Sequence, residues 1–302
     1  PVLAYLGTQL TMVSSANFDP VDWLTYRYGA NRLLAGQSPY APWQLTGPYT
    51  LSDVAGGNGF VYPPSAAILL APFLQPWALW VAFNVLVYLA GVLAVVAVSA
   101  GLSPLSVSVG LWIALSPPFL LDGIIGGGVT PAVAGALGLI YAGLPLAGVG
   151  AAIKLVPGAW VAIPLRVDVK RALIGAAVGF GVPAAISVAF AGLGPWADFV
   201  VAIRNARPGC FNDVLSAVCG GTPQAALLVA GAALAVVSIR LPRHWALLVL
   251  GLVPIVVGPE IWPHYWLTII PGFVAVVMTI GRRWARGHQV AQPYGTGSSR
   301  TG

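Results

Sequence analysis

The sequence predicts an all-α protein that passes repeatedly through a membrane, on three observations. Only 7% of its 302 residues are Asp, Glu, Lys or Arg, and 58% are hydrophobic, where a soluble domain carries roughly 25% charged residues. Mean hydropathy is +0.86. Apolar runs recur along the whole chain, many approaching the ~20 residues that a helix needs to cross the hydrocarbon core. The formal net charge of +6 sits mostly in short clusters, the pattern of a positive-inside bias and not of nucleic-acid binding.

The elements follow in chain order. Residues 1–14 read as the last turns of a span whose beginning is missing, because the chain opens on Pro1 without a basic leader or a small-residue cleavage site. Further spans are predicted over 76–99, 105–121, 129–143, 172–191, 223–239, 244–258 and 263–281. They belong to one domain, 1–286, of about 8–10 membrane helices. The stretch 287–302, rich in Gly, Ser, Thr and Gln, predicts a disordered cytoplasmic tail.

Three basic clusters set the orientation. Arg166, Lys170 and Arg171 form the first, Arg240 and Arg243 the second, and Arg282, Arg283 and Arg286 the third. With all three facing the cytoplasm, segment 16–62, loop 192–222 and the turn from Gly258 to His264 face outward. A full crossing by 145–165 would then put Arg166–Arg171 on the wrong side. We therefore expect a hairpin of two half-length helices, broken near Pro157. Lys154 would occupy its turn, at membrane depth and lining an outward-facing cavity.

With charge so scarce, each ionisable group outside the cytoplasmic loops is a candidate for chemistry. Residues 22–35 have helical spacing, with Trp23, Tyr26, Ala30, Leu33 and Leu34 toward one side; such a helix lies along the membrane interface. Asp19 and Asp22 stand before or at its start, where Asp serves either as an N-cap or in catalysis. Phe60-Val-Tyr62-Pro63-Pro64 follows a Gly-rich stretch. Its prolines fix a helix entry, and its aromatics suit a sugar or lipid pocket. Lys154 is the only charge between Leu144 and Leu165, and either snorkels to headgroups or pairs with an anion such as a lipid phosphate. Arg204 and Arg207 in the outer loop would extend that anion site or meet headgroups. Glu260, His264 and Tyr265 sit at the mouth of the last span, His264 as a satisfied polar group or as a proton carrier. Cys210 and Cys219 share the outer loop, where an oxidising compartment favours a disulfide over two thiols. No DxD-type pair or metal-ligand cluster is present, so no obligatory divalent ion is expected.

Taken together, these residues resemble a known family. Asp22-x-x-x-Tyr26, Gly36-x-x-Pro39-Tyr40, Phe60-x-Tyr62-Pro63-Pro64 and Pro72 are similar to the first outer loop of glycosyltransferase family 87. Ala152-Ile-Lys154-Leu-Val-Pro157 resembles that family's Lys-x-x-Pro segment. Gly258-Pro-Glu-Ile-Trp262-Pro-His264-Tyr265 resembles its late motif ending in His-Tyr. The pieces occur in family order across nearly the whole chain. Where the family shows Gly-Gln-x-Asn, this chain has Gly127-Gly128-Val-Thr130, and Phe211-Asn212-Asp213-Val-Leu-Ser216 only loosely matches its Asn-rich stretch.

The resemblance implies a multi-pass GT-C fold in a bacterial cell membrane, with the active site on the extracytoplasmic face. It implies a cell-envelope transferase, mannosyltransferase-like, that moves a sugar with inversion from a polyprenyl-phosphate donor to a glycolipid or glycan acceptor without a cofactor. Mannose is the leading sugar and arabinose the alternative. Asp22 matches the family's catalytic acid as general base, with Asp19 the alternative base. Lys154, with Arg204 and Arg207, would hold the donor phosphate, and His264 would bind or protonate it. Tyr26, Arg27, Tyr40, Tyr62, Glu260 and Tyr265 would line the pocket. The competing readings are a transporter or flippase of lipid-linked sugars, and a degenerate homologue that binds without turnover.

Overall fold

The structure, a computed structural model, describes residues 20–50, 59–207, 224–257 and 263–290. Among them extended pairing is confined to β1 (Tyr49–Thr50) beside β2 (Ala206–Arg207), in parallel; the remainder is helices and connecting turns. This short pairing joins segment 16–62 to loop 192–222, the two stretches expected on one face. The all-α expectation holds. Residues 1–14, Cys210 and Cys219 lie outside the described residues.

α1 (Val21–Leu34) and α2 (Pro42–Thr46) precede α3 (Pro64–Leu70). α4 (Trp77–Ser99) is a continuous apolar helix, about 35 Å long at 1.5 Å per residue, enough to cross a bilayer. α5 (Pro104–Leu115) begins at an N-cap, Ser103, whose hydroxyl accepts from the Ser106 N–H at 3.1 Å. α6 (Phe119–Ile125) turns away from α5 by 56°. Pro117 and Pro118 lie between them, removing two N–H groups and clashing with the preceding turn. α7 (Thr130–Tyr141) is buried along nearly its whole length.

After α8 (Ala147–Ile153) the helix stops at Lys154, whose backbone is extended with φ −138°. A 3₁₀ turn (Val156–Val161) and α9 (Ala162–Leu165) follow. A Cβ on Gly150 would lie 2.8 Å from Pro157 Cβ and 3.2 Å from the Trp160 ring. A straight helix would hold residues seven and ten apart at about 10 and 15 Å, so the second piece doubles back on the first. The break expected near Pro157, with Lys154 in the turn, falls earlier: the α-helix stops at Lys154, and Pro157 lies at the start of the 3₁₀ turn that follows.

α10 (Val169–Ala176), capped by the Asp168 carboxylate on the Arg171 N–H at 3.1 Å, continues through a π segment (Ala177–Gly181) into α11 (Val182–Ala191). Pro183 has no N–H for the carbonyl one turn back, which accounts for the widened turn. α12 (Gly194–Asn205), α13 (Gln224–Ser238) and α14 (Arg243–Val257) follow. A 3₁₀ turn (Pro263–Ile269) leads into α15 (Ile270–Val290). Helix therefore runs past residue 287, where the sequence predicts a disordered tail; Pro293 is the first proline beyond it.

The span count differs from the sequence expectation. Among the described residues, three helices are long and apolar enough to cross a bilayer: Trp77–Ser99, Val169–Ala191 and Pro263–Arg286. The bent pair α5–α6 makes a fourth if taken as one span. The predicted spans 129–143, 223–239 and 244–258 form helices of 12, 15 and 15 residues, about 18–23 Å long. Hydropathy alone cannot see where they begin and end, as at Gly127–Gly128 before α7, with Pro131 in its first turn. The long apolar helices make this a membrane protein.

α4 and α7 touch backbone to backbone. A Cβ on Gly138 would lie 2.5 Å from Gly91 O, and one on Gly135 only 2.7 Å from Tyr88 Cα. Small residues permit such close helix approach in membranes. Gly135→Val should therefore force the pair apart and destabilise by at least the ~1–3 kcal/mol of an overpacked core. Gly47→Ala, with nothing within 4 Å, should leave the thermal midpoint in detergent unchanged.

Candidate functional site

Four segments distant in sequence meet at one end of α7. The first is the start of α1. Its N-cap position is Pro20 and no side chain caps it, so Asp22 is not the capping residue that its position allows. Instead the Asp22 N–H donates to Gly126 O at 3.0 Å, pinning the first turn of α1 to the loop after α6. Gly127 makes this contact possible. Its φ of +72° suits glycine, and a Cβ there would lie 2.8 Å from Trp23 N and 2.9 Å from Pro20 Cβ. Trp80 Nε1–H donates to Gly127 O at 3.0 Å, and Trp23 Nε1–H to Leu74 O at 2.8 Å. Gly127→Ala is expected to destabilise by about 1–3 kcal/mol, seen as a lower thermal midpoint and as loosened anchoring of α1 in hydrogen exchange.

Lys154 enters from the break after α8, held by Ser65 Oγ–H donating to Ala152 O at 2.7 Å. Its ammonium donates to Thr130 Oγ1 and to Tyr265 OH, each at 3.4 Å. It also sits 4.4 Å from the Tyr265 ring centre and 5.6 Å from that of Tyr62, a cation–π cradle. Lys154 therefore does not snorkel away. Tyr62 is positioned in turn: Tyr40 OH donates to Tyr62 O at 2.7 Å, and the Tyr26 ring packs against Tyr62 at a 39° tilt, centres 4.7 Å apart. Gln44 clamps the same strand-like stretch, bonding both Phe60 N and Phe60 O at 3.1 Å.

His264 enters from the 3₁₀ turn before α15. Its ring Nδ1 lies 2.9 Å from Asp122 Oδ2, and its backbone N–H donates to the same oxygen at 3.1 Å. The imidazole is 5% exposed and the Asp122 side chain 43% exposed. Gly128 marks where His264 meets Asp22: a Cβ there would stand 3.1 Å from Asp22 Oδ2 and 3.5 Å from His264 Nε2. A side chain at position 128 would thus contact both groups. Thr130 makes a polar contact with Lys154.

The electrostatics follow from this packing. Burial pushes the Asp22 carboxyl above its ordinary value of 3.8; His264 and Lys154 oppose the rise and Asp122 adds to it. A carboxylate so placed is a stronger proton acceptor than a solvated one. Beside Asp122, a cavity of about 200 Å³ is lined by Pro118, Phe119, Leu121, Asp122, Ile125 and Pro263.

Of the residues read from sequence, Asp22, Lys154, His264, Tyr62, Tyr265 and Tyr26 come together. Tyr40 acts from behind Tyr62. Arg27 lies over the Trp23 ring, 5.3 Å from its centre. Arg204 is exposed on α12, a helix that packs on α2 and α3. It takes no part in the contacts of Lys154 with Thr130, Tyr265 and Tyr62, and so does not extend that site. Asp19, Glu260 and the side chain of Arg207 lie outside the described residues. The sequence reading missed Asp122, although it is an acid at the edge of an apolar run and the scarcity of charge already marked it. It missed Gln44 and Trp80 because their role is to fix backbone. Comparisons of the chain with protein-family models, with curated proteins and with solved structures find no match.

Proposed function

We propose that this chain is an integral membrane glycosyltransferase that moves a sugar, mannose foremost, from a polyprenyl phosphate to a glycolipid or glycan hydroxyl, with inversion. The observation that carries this reading is the convergence of one half-buried carboxylate, one caged ammonium and one carboxylate-held imidazole. Asp22 accepts the proton of the acceptor hydroxyl as that oxygen attacks the anomeric carbon. The anomeric C–O bond to phosphate breaks, and the departing phosphate gains charge. Lys154 stabilises that charge from a site largely shielded from water. His264, whose Nε2 lies within 3.5 Å of the same Gly128 Cβ position that Asp22 Oδ2 approaches to 3.1 Å, binds the phosphate or gives it a proton.

The molecule's polarity supports an outward-facing site. α7 carries Thr130 beside Lys154 at one end and Tyr141 at the other, where Arg243 lies 4.5 Å from the Tyr141 ring centre and donates to Tyr141 O. The site and a basic cluster are thus a helix length apart, about 17 Å. With that cluster cytoplasmic, the site faces out.

The experiment is transfer from radiolabelled polyprenyl-phosphate mannose to a total glycolipid extract by the purified protein in membranes. The expected result is a labelled product, equimolar release of polyprenyl phosphate, and an anomeric configuration opposite to the donor's. Donor consumption with retained configuration would overturn the single-base mechanism. An intact donor in the presence of folded protein, with the arabinose donor equally inert, would overturn the transferase reading.

A further inference from the structure

At the end of α7 opposite Lys154 stand three arginines that the outer site does not use. We infer that Arg166, Arg171 and Arg243 hold one phosphate group at the cytoplasmic face, with the headgroup of an anionic lipid as its source. The inference does not depend on the transferase reading, since it concerns the other end of the molecule.

The turn that ends α7 is closed largely by its own backbone. The Gly143 N–H donates to Ile140 O and the Leu144 N–H to Leu139 O, each at 3.0 Å, with Gly143 at φ +102°. This Schellman arrangement satisfies two of the last carbonyls of the helix. Arg243 takes the next one, Tyr141 O, and lies 4.5 Å from the Tyr141 ring centre. Arg171 reaches the same turn from α10, where its Nη1 would lie 3.6 Å from a Cβ on Gly143. Arg166 follows α9, which packs on α7, α10, α13 and α14. Its Nη1 is shut off from solvent and has no hydrogen-bond partner among the described residues, while the residue as a whole is only partly buried.

A covered guanidinium donor with no bond costs stability until an anion meets it. The chain does not supply that anion. Asp168 is the only carboxylate in the segments that carry the three basic clusters, and its Oδ1 accepts the Arg171 backbone N–H at 3.1 Å. Among the described residues, none of the three arginines forms an ion pair with a carboxylate. Guanidinium groups suit phosphate because their N–H donors bind its oxygens in pairs. The apolar surroundings favour a lipid as the source. Leu144, Val167, Val169 and Leu173, next to these residues in the chain, are all exposed, which suits acyl chains better than a soluble phosphate. Basic pockets between helices on the cytoplasmic side take such headgroups.

Native mass spectrometry of the full chain in detergent, titrated with phosphatidylglycerol, tests this. The wild type should take up one phosphatidylglycerol saturably, and phosphatidylcholine, which carries no net charge, more weakly. Arg166→Gln should weaken phosphatidylglycerol binding by about 10-fold or more, the loss of one charge-assisted hydrogen bond. Arg171→Gln should do the same. Its side chain is exposed, so the test does not depend on Arg166→Gln folding. Arg286→Gln removes the same charge from the last turns of α15 and should leave the affinity unchanged. Equal losses in all three variants would mean a diffuse field of charge and would overturn the inference, as would uptake that does not saturate at one lipid. Inorganic phosphate, followed by the thermal midpoint in lipid-free detergent, separates the sources. No shift with phosphate upholds the lipid. A shift that Arg166→Gln removes, without uptake of phosphatidylglycerol, upholds the phosphate site and overturns the lipid as its source.

Discussion

Asp22→Asn is expected to lower sugar transfer by about 10²–10⁴-fold, the range for loss of a positioned general base, without lowering the protein's stability. The second half of that expectation follows from linkage. Burial raises the Asp22 carboxyl above its ordinary 3.8 in the folded protein, so the native state binds this proton more tightly than the unfolded chain. Stability attributable to the group is then greatest at low pH and falls as pH rises through the raised value. At neutral pH the ionised, desolvated carboxylate costs stability, and the amide removes that cost. The thermal midpoint of Asp22→Asn near pH 7 should equal or exceed that of the wild type. The catalytic sign is opposite. Only the ionised carboxylate accepts a proton, so wild-type transfer should climb with pH along an acid limb lying above 3.8, and the residual rate of Asp22→Asn should lack that limb. A midpoint well below wild type would assign Asp22 a structural role instead.

Lys154→Met is expected to abolish transfer by a different route. Methionine keeps the length and apolar bulk of the stem, so Tyr62, Tyr265 and Thr130 retain a neighbour, but the charge facing the donor phosphate is gone. Loss of a donor aimed at developing charge typically costs about 10²–10³-fold in turnover, and loss of the ion pair with the ground-state phosphate adds weaker donor binding. Lys154→Arg should recover little, because a planar fork does not fit a cradle built around a point charge between two rings. These two variants together separate the readings. A transporter or flippase of lipid-linked sugars should depend on Lys154 and tolerate Asp22→Asn. A transferase needs both, and a degenerate binder consumes no donor in any variant.

The sequence revealed most about the site where a charge stood alone. Lys154 was legible because nothing else charged lies near it in the chain, and charge parity alone required a turn where the helix does stop. Asp22, Tyr62, His264 and Tyr265 were legible because they fall in compact local patterns. Asp122 was not, because its meaning depends on a partner 142 residues away and its position coincides with the end of a predicted span. Gly127 and Gly128 stood out in sequence only as a departure from the resembled pattern, whereas in the fold a Cβ placed at Gly128 would lie 3.1 Å from Asp22 Oδ2 and 3.5 Å from His264 Nε2. The span count was the least legible feature. Composition reports how apolar a run is, whereas Pro117 and Pro118 bend one run by 56° and Pro131 stands at the start of another helix.

The most direct test of the convergent site measures donor binding and donor turnover in one preparation, wild type beside Asp22→Asn, with polyprenyl-phosphate mannose in nanodiscs. The account predicts equal donor affinity for the two proteins, because Lys154 and its tyrosines remain, with release of polyprenyl phosphate and labelled glycolipid from the wild type alone. Equal turnover by the two proteins, or loss of donor binding in Asp22→Asn, would contradict it.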